Sequence, residues 1–464
     1  LNRGHFITLY YNALCTVNLL NICVGLDLGW TSPMLVKLRD PAQSPLSHAL
    51  TDDEGGWIVS IGFVFSIFVL PFIGVLLDYV GRRSTILMIY LPKIAANLMT
   101  VFGTETWILL VSRAISGVTT FAAYVAIMVY TTEISSKEIR GSLGSFLPIF
   151  CNLGVFGMLA IGPYISYWNL CIMVTAVTVC ASIPQIFIPD SPYSLFKKGK
   201  IEEARKVLIL LRGSQVLAEE ELKELSQAKP SQTLKTKHLF KNKVYLKSIA
   251  VVLVLSIGSQ IIGFNFISFY LQTILELSNT TVSPALGSIV IGFIQITSSI
   301  LAGMFTDRCG RRPILISTFL TLALGMIGLG IFFMVKQGGG VSGLFNYLPL
   351  ICIAVVTCSF SGGIGCIYFV IVTELLDGHI RAQATTGISI VSTLCVFLLT
   401  RYAMNIWASI GPVSTFIIFG VINIMMSLFV FYFVPETKQK TIAEIQKAFG
   451  QKEGEETKNH VTKF

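Results

Sequence analysis

Gly74-Val75-Leu76-Leu77-Asp78-Tyr79-Val80-Gly81-Arg82-Arg83 recurs far along the chain as Gly303-Met304-Phe305-Thr306-Asp307-Arg308-Cys309-Gly310-Arg311-Arg312. Glycine, aspartate, glycine and a pair of arginines keep the same spacing in both copies. Each copy closes one long apolar run and opens the next. A second matched pair follows: Glu133-Ile134-Ser135-Ser136-Lys137-Glu138-Ile139-Arg140, then Glu374-Leu375-Leu376-Asp377-Gly378-His379-Ile380-Arg381. Two motifs repeated in the same order argue for a chain built as two parallel repeats.

Outward from these motifs, apolar runs fall near residues 8–30, 55–77, 85–103, 107–131, 143–166, 169–189, 245–276, 284–306, 314–336, 348–374, 385–408 and 412–434. A spanning helix needs about 20 mostly apolar residues. The runs are too long and too continuously apolar for barrel strands, which are short and alternate in polarity. Composition agrees: 53% of the 464 residues are hydrophobic and 13% charged, against about 25% charged in soluble chains. The fold expected is an all-α polytopic membrane protein with twelve transmembrane helices in two pseudo-symmetric six-helix bundles. The bundles occupy residues 1–189 and 245–434, with a cytoplasmic helical linker at 190–244 and a cytoplasmic tail at 435–464. The linker expectation rests on Lys200-Ile201-Glu202-Glu203-Ala204-Arg205-Lys206-Val207-Leu208, an amphipathic pattern with its acids early.

The net charge of +9 is explained by where the charge lies. With both termini cytoplasmic, the inner segments hold Arg3, Arg82, Arg83, Lys137, Arg140, Arg308, Arg311, Arg312 and Arg381, and most of the lysines. The outer loops keep Lys37, Arg39, Lys336 and Arg401. This is the positive-inside pattern, and it points to topology and anionic lipid rather than nucleic acid. The sequon Asn279-Thr280-Thr281 falls in an outer loop. The 10 cysteines form no metal-ligand spacing and read as small buried hydrophobes. No nucleophile–base constellation appears either, so enzymatic chemistry is not expected, and no cofactor is implied.

Each repeat places carboxylates and guanidinium groups at one mouth: Asp78, Arg82, Arg83, Glu133 and Arg140 in the first half, Asp307, Arg311, Arg312, Glu374 and Arg381 in the second. Arginine forks bind carboxylates and helix C-terminal carbonyls well. A network joining the halves at the cytoplasmic face would act as a gate. A plain ion-pair cluster with no part in cycling is the alternative. Gly74 and Gly303 would let helices approach closely. Charges within the spans are few: Asp27, Lys93 and Arg113. Intramembrane charges are paired or functional. An Asp27–Arg113 ion pair is one expectation, and Lys93 is expected to snorkel or to bond locally.

These residues resemble the sugar-porter branch of the major facilitator superfamily. The likeness covers nearly the whole chain: the two G-R-R loops, the two Glu–Arg segments, Arg113 with Gly117, Arg140-Gly141, Pro189-Asp190-Ser191-Pro192, and Pro435-Glu436-Thr437-Lys438 with Glu444-Ile445. Gly25-Leu26-Asp27-Leu28-Gly29-Trp30-Thr31-Ser32-Pro33 resembles the first span of facilitated trehalose transporters of insects. The resemblance implies alternating access of two bundles around a midplane sugar site. It assigns sugar hydroxyls to a Q-Q-x-x-G-x-N motif, here Ser259-Gln260-Ile261-Ile262-Gly263-Phe264-Asn265, in which Ser259 departs from the pattern. It adds Gln295, and the aromatics Phe269 and Tyr270. It also makes an acid at Asp27, facing Arg113, a mark of proton-coupled members.

Departures lie in the tenth span, where Gly363-Ile364-Gly365-Cys366-Ile367-Tyr368-Phe369 lacks the family's prolines and tryptophan, and in the eleventh, where Ser392-Thr393 replaces an Asn-Trp pair. Tyr193 and Phe121 also depart from the pattern. Loss of the prolines should stiffen the tenth span. Gln260 and Asn265 would sit roughly 140° apart on an unbroken helix. Both can address one ligand only if the helix breaks, and Gly263 between them permits that.

The expected function is facilitated sugar transport, of a hexose or trehalose, in the plasma membrane. The partners are a small-molecule sugar and the bilayer. A proton symporter using Asp27 and Arg113, with the proton as a further partner, and a poorly transporting sugar sensor are the alternatives.

Overall fold

The computed structural model describes residues 3–135, 146–227, 243–305, 310–339, 343–376 and 378–438, with Lys440, Glu444, Ile445 and Phe449 of the tail. The first half contains α1 (Arg3–Arg39), α2 (Asp52–Val80), α3 (Arg82–Phe102), α4 (Thr106–Ile134), α5 (Phe146–Ile161) and α6 (Tyr167–Gln185). Three short helices follow: α7 (Pro192–Lys197), α8 (Ile201–Arg212) and α9 (Gln215–Gln227). The second half contains α10 (Lys243–Ile261), α11 (Phe264–Ser278), α12 (Pro284–Phe305), α13 (Arg311–Gln337), α14 (Leu348–Gly362), α15 (Ile364–Leu375) and α16 (Gly378–Phe433). Among the described residues, ten helical segments are long and apolar enough to cross a membrane, and α5 is a shorter apolar helix. The longest, α16, leaves helical geometry at Gly411, where φ is 78° and Pro412 follows.

Local chemistry sets several boundaries. Thr51 and Glu54 form a reciprocal capping box at the start of α2, whose first turn is acidic. Gly81, at φ 104°, makes the turn between α2 and α3 in a conformation that side chains resist. α1 continues through Pro33 to Arg39. Lys37 is therefore a buried helix residue rather than a loop residue, donating to the carbonyl of Ile165. Asn279 caps α11 in the left-handed region and is exposed.

α2 and α4 meet at Gly62 and Gly117, where a Cβ on Gly117 would lie 2.2 Å from the Gly62 Cα. Gly74, by contrast, has nothing within 4 Å. The close approach expected there is not made, and backbone contact falls deeper in the half. Exposed Phe68, Phe72, Leu91, Phe102 and Phe187 give the outside an apolar surface, as a lipid-solvated bundle requires. Of the nine described cysteines, all unpaired, Cys15, Cys180 and Cys358 are exposed rather than buried. An apolar surface accepts a thiol as readily as a core does.

Two spans of the second half are broken. The first break is at Ile262–Gly263, between α10 and α11, with Gly263 left-handed at φ 91°. The second is at Gly363, between α14 and α15, where φ is −120° and ψ −106°. The stiff tenth span expected from the missing prolines is therefore not what forms. A Cβ on Gly363 would lie 1.9 Å from the Thr318 hydroxyl, so glycine gives the break its room. Polar contacts join the halves at several places among the described residues. Ser32 of α1 accepts from the backbone of Gln272 on α11 at 3.0 Å. Asp53 of α2 pairs with Arg401 of α16 at 2.5 Å. Asn152 of α5 meets Gln295 and Ser299 of α12 at 2.9 and 2.6 Å.

Candidate functional site

The end of the bundle that carries the G-R-R turns is termed the motif end, and the opposite end the far end. In the first half, Arg82 lays its fork on Glu133, with contacts of 2.7 to 3.1 Å. It also meets Asp78 at 3.2 Å and the Leu77 carbonyl at 3.1 Å. Lys197 of α7 binds the other oxygen of Asp78 at 2.7 Å. Ser191 donates to Glu133, and Asp190 accepts from the backbone of Arg83 at 3.3 Å. Arg83 itself donates to the Ile186 carbonyl. Arg212 of α8 holds Glu221 at 2.7 Å and the last turn of α4 through Ile134.

The second half repeats this plan. Thr437 donates to Glu374 at 2.5 Å, as Ser191 does to Glu133. Glu436 accepts from the backbone of Arg311 and Arg312 at 2.9 and 3.1 Å, as Asp190 does from Arg83. Arg311 approaches Glu374 at 3.6 Å, and Arg312 donates to the Phe431 carbonyl. Partial burial would raise the Glu436 carboxyl. Backbone N–H groups from Lys438, Arg311, Arg312 and Thr437 outweigh it and hold the carboxyl below the usual glutamate range. Pro189-Asp190-Ser191 and Pro435-Glu436-Thr437 are thus a third repeated motif. Sequence reading quoted both without pairing them, although the shared order of proline, acid and hydroxyl is the signal. Each of these pairs lies within one half or between a half and the segment that directly follows it, and none of them joins the two halves. Arg140, Asp307 and the Arg381 side chain lie outside the described residues.

Deeper in the first half, Lys93 of α3 donates to the Asp27 carboxylate of α1, and Thr120 of α4 donates to the same oxygen at 3.2 Å. Lys93 is fully buried and Asp27 nearly so. Lys93 therefore neither snorkels nor bonds locally. Arg113 makes no side-chain pair with Asp27. It reaches the Asp27 backbone carbonyl at 3.3 Å and the Thr31 hydroxyl at 3.5 Å, with its guanidinium 4.7 Å from the centre of the Trp30 ring. The Asp27–Arg113 ion pair is replaced by Asp27–Lys93 because an ammonium from α3 fits the space beside the carboxylate. Asp27, Arg113, Thr120, Phe63, Phe121 and Phe269 line a common cavity.

At the α10–α11 break, Asn265 donates to the Gln260 side-chain carbonyl at 3.0 Å, and Gln260 donates to Ser259 at 3.0 Å. Both amides are half-buried, whereas Ser259, Ile262 and Phe264 around them are buried. Phe269 packs edge-on against Phe63 of the other half at 5.8 Å. Tyr270 is buried, its hydroxyl donating to the Thr400 carbonyl at 3.2 Å. Gln295 is turned to Asn152 of α5. The structure thus brings Gln260, Asn265 and Ser259 together and places Phe269 beside Asp27 and Arg113. It sets Tyr270 and Gln295 into contacts of their own. Asn152, an amide within an apolar run, was missed in the sequence.

A family model described as "Sugar (and other) transporter" matches residues 13–449. The facilitated trehalose transporter Tret1 of Apis mellifera ligustica is 31% identical over 447 residues, covering 95% of this chain and 88% of the relative. Tret1 of Polypedilum vanderplanki is 30% identical over 446 residues, covering 94% and 87%. Among solved structures, the inward open conformation of the xylose transporter XylE from E. coli superposes with a TM-score of 0.78 at 21% identity, over 95% of this chain and 99% of that one. XylE bound to 6-bromo-6-deoxy-D-glucose superposes with a TM-score of 0.72 at 20% identity, over 97% and 100%. With its broken helices, its repeated motifs and these relatives, the chain belongs to the family of sugar and other transporters and is a multi-pass membrane transporter, not an enzyme.

Proposed function

We propose that the chain carries a sugar, trehalose or a hexose, down its gradient by alternating access of its two halves. The observation that carries this reading is the Gln260–Asn265 amide pair at the break between α10 and α11. Two amides offer donors and acceptors together, which suits a polyol. They stay partly exposed beside the buried Ser259, Ile262 and Phe264. We assign sugar contacts to Gln260, Asn265, Ser259 and Phe269. Gln295 and Tyr270 hold neighbouring helices in this conformer and would be released to the site as the halves rock. Asp53–Arg401, Ser32–Gln272 and Phe63–Phe269 tie the halves together away from the motif end. The conformer is then the one closed at the far end, and the motif-end clusters of Asp78, Arg82, Glu133, Arg311 and Glu374 would re-pair across the halves in the opposite state.

The remaining topology goes with this reading: twelve crossings, with α5 and the two parts of α16 counted separately, in halves 1–189 and 245–434. Both termini and the 190–244 linker lie on the cytosolic side of the plasma membrane, supported by the Lys and Arg bias. A cysteine at position 279, in a cysteine-free background, should react from outside; reaction only from the cytosol would reverse the orientation. Function is tested by uptake of labelled trehalose and hexoses into liposomes. Saturable uptake to equilibration supports the proposal. Sugar binding without uptake would make the protein a sensor, and accumulation driven by a pH gradient would make it a symporter.

A further inference from the structure

We infer that Lys93 is a built-in counter-ion that keeps Asp27 charged through the whole cycle and so uncouples transport from protons. The inference rests on the facilitated-transport reading and supplies its physical basis. A carboxylate lining a cavity within the membrane is a natural proton carrier, because neutralisation relieves its burial. It carries a proton only if its charge is uncompensated in one part of the cycle.

At Asp27 the compensation is structural. The Lys93 ammonium donates to one carboxylate oxygen, and Thr120 donates to the same oxygen. Asp27, Thr120 and Arg113 line the cavity, but Lys93 is not among its lining residues. Lys93 reaches the carboxylate from behind, fully buried and away from water. All four residues belong to helices of the first half: α1, α3 and α4. Rocking of one half against the other leaves their mutual distances unchanged. The ammonium therefore stays in place in both states, whichever side the cavity faces.

The surrounding charges agree. Among the described residues, the titratable groups near enough to interact electrostatically with this cluster include Cys23 on α1, Lys93 on α3, Arg113 on α4, Cys151 on α5 and Tyr167 on α6. From α2 and α11 the cavity receives Ile58, Val59, Gly62, Phe63 and Phe269, none of them titratable. With Asp27, Lys93 and Arg113 all charged, the cluster carries one net positive charge. A proton on Asp27 would leave the fully buried Lys93 ammonium without its anion, a costly arrangement away from water. Lys93 thus does permanently what a transported proton would do intermittently.

The test has a spectroscopic arm and a transport arm. Infrared difference spectra of the purified wild-type protein between about pH 5 and 8 should show no protonated-carboxyl band that disappears in D27N/K93M. Such a band would overturn the inference, whether or not the protein transports. In liposomes, wild-type uptake should be flat across this range. Lys93→Met should make it pH-dependent, approaching about tenfold per pH unit, the limit for one titrating group. The readout is the shape of the profile, not the rate. Lys93→Arg, which keeps a cation, and D27N/K93M, which removes both charges, should give flat profiles. A folded Lys93→Met protein with a flat profile would overturn the inference, as would a pH-dependent Lys93→Arg. If Lys93→Met does not fold, the wild-type spectra decide. Absence of any uptake by the wild type would refute the transport function while leaving the spectroscopic result to stand on its own.

Discussion

Asn265 donates its side-chain amide to the side-chain carbonyl of Gln260 across the break at Gly263, at 3.0 Å. On a continuous helix the two would point roughly 140° apart. The left-handed glycine turns α11 so that they meet. Each amide then satisfies part of the other's hydrogen-bonding capacity and keeps the rest unspent.

Gln260→Ala should weaken sugar affinity by about 1–3 kcal/mol, because a buried sugar hydroxyl loses its partner. The measurement is competition by unlabelled sugar in the uptake assay. An unchanged half-saturation concentration would place the sugar elsewhere.

The two carboxylates on Arg82 should differ in weight. Glu133 is 15% exposed and receives three contacts from the guanidinium, whereas Asp78 is 49% exposed. Glu133→Ala leaves Arg82 and Ser191 short of an acceptor in a partly dry site and should cost about 3 kcal/mol. Asp78→Asn acts on a solvated pair and should cost less than about 1 kcal/mol. Thermal unfolding in detergent should rank them in that order, and equal losses would mean that Asp78 is as dry as Glu133.

The far end offers a second contrast. Arg401 pairs with Asp53 and lies 4.7 Å from the centre of the Trp57 ring, while Trp57 packs near Phe397. Asp53 is exposed, so the ion pair alone is weak, but the ring adds a cation–π contact. Arg401→Ala should shift the population toward far-end opening by about 1–2 kcal/mol, or roughly 5–30-fold. A cysteine at Val59, buried in this conformer, should then label faster from the far side. Unchanged labelling would assign the closure to apolar contacts such as Phe63 with Phe269.

The all-helical, polytopic membrane character was legible because it is written in local patterns. The G-R-R repeat and the length of the apolar runs need no knowledge of how helices rotate. The break at Gly263 was legible too, since the spacing of Gln260 and Asn265 demanded one. What escaped depended on helix rotation and pairing. Lys93 and Asp27 are 66 residues apart, and only the facing of α1 and α3 makes them partners. The pairing of Gln295 with Asn152 has the same origin. The break at Gly363 was misread because proline was taken as the only source of a kink. Here glycine supplies it, where a side chain would strike Thr318.

Glu436 gives the motif end a pH dependence whose sign follows from its contacts. Its carboxyl is held below the usual glutamate range, with backbone N–H groups outweighing the effect of burial. In the unfolded chain the same carboxyl titrates near about 4.3. Above that value the folded state gains from the bound anion. The gain is lost as pH falls through the lower, folded value, where the protonated acid no longer draws the amides of Arg311 and Arg312. Glu436→Gln removes the charge at every pH and so measures the gain directly. At neutral pH the substitution should cost about 1–2 kcal/mol, discounted for partial solvent screening. The cost should be constant from about pH 7 to 5 and shrink below about pH 4. Thermal midpoints of the two proteins, taken in parallel across this range, provide the check. A gap that widens on acidification would mean that the carboxyl is bound as the neutral acid. A gap independent of pH would mean that shape, not charge, seats Pro435-Glu436-Thr437 against the G-R-R turn.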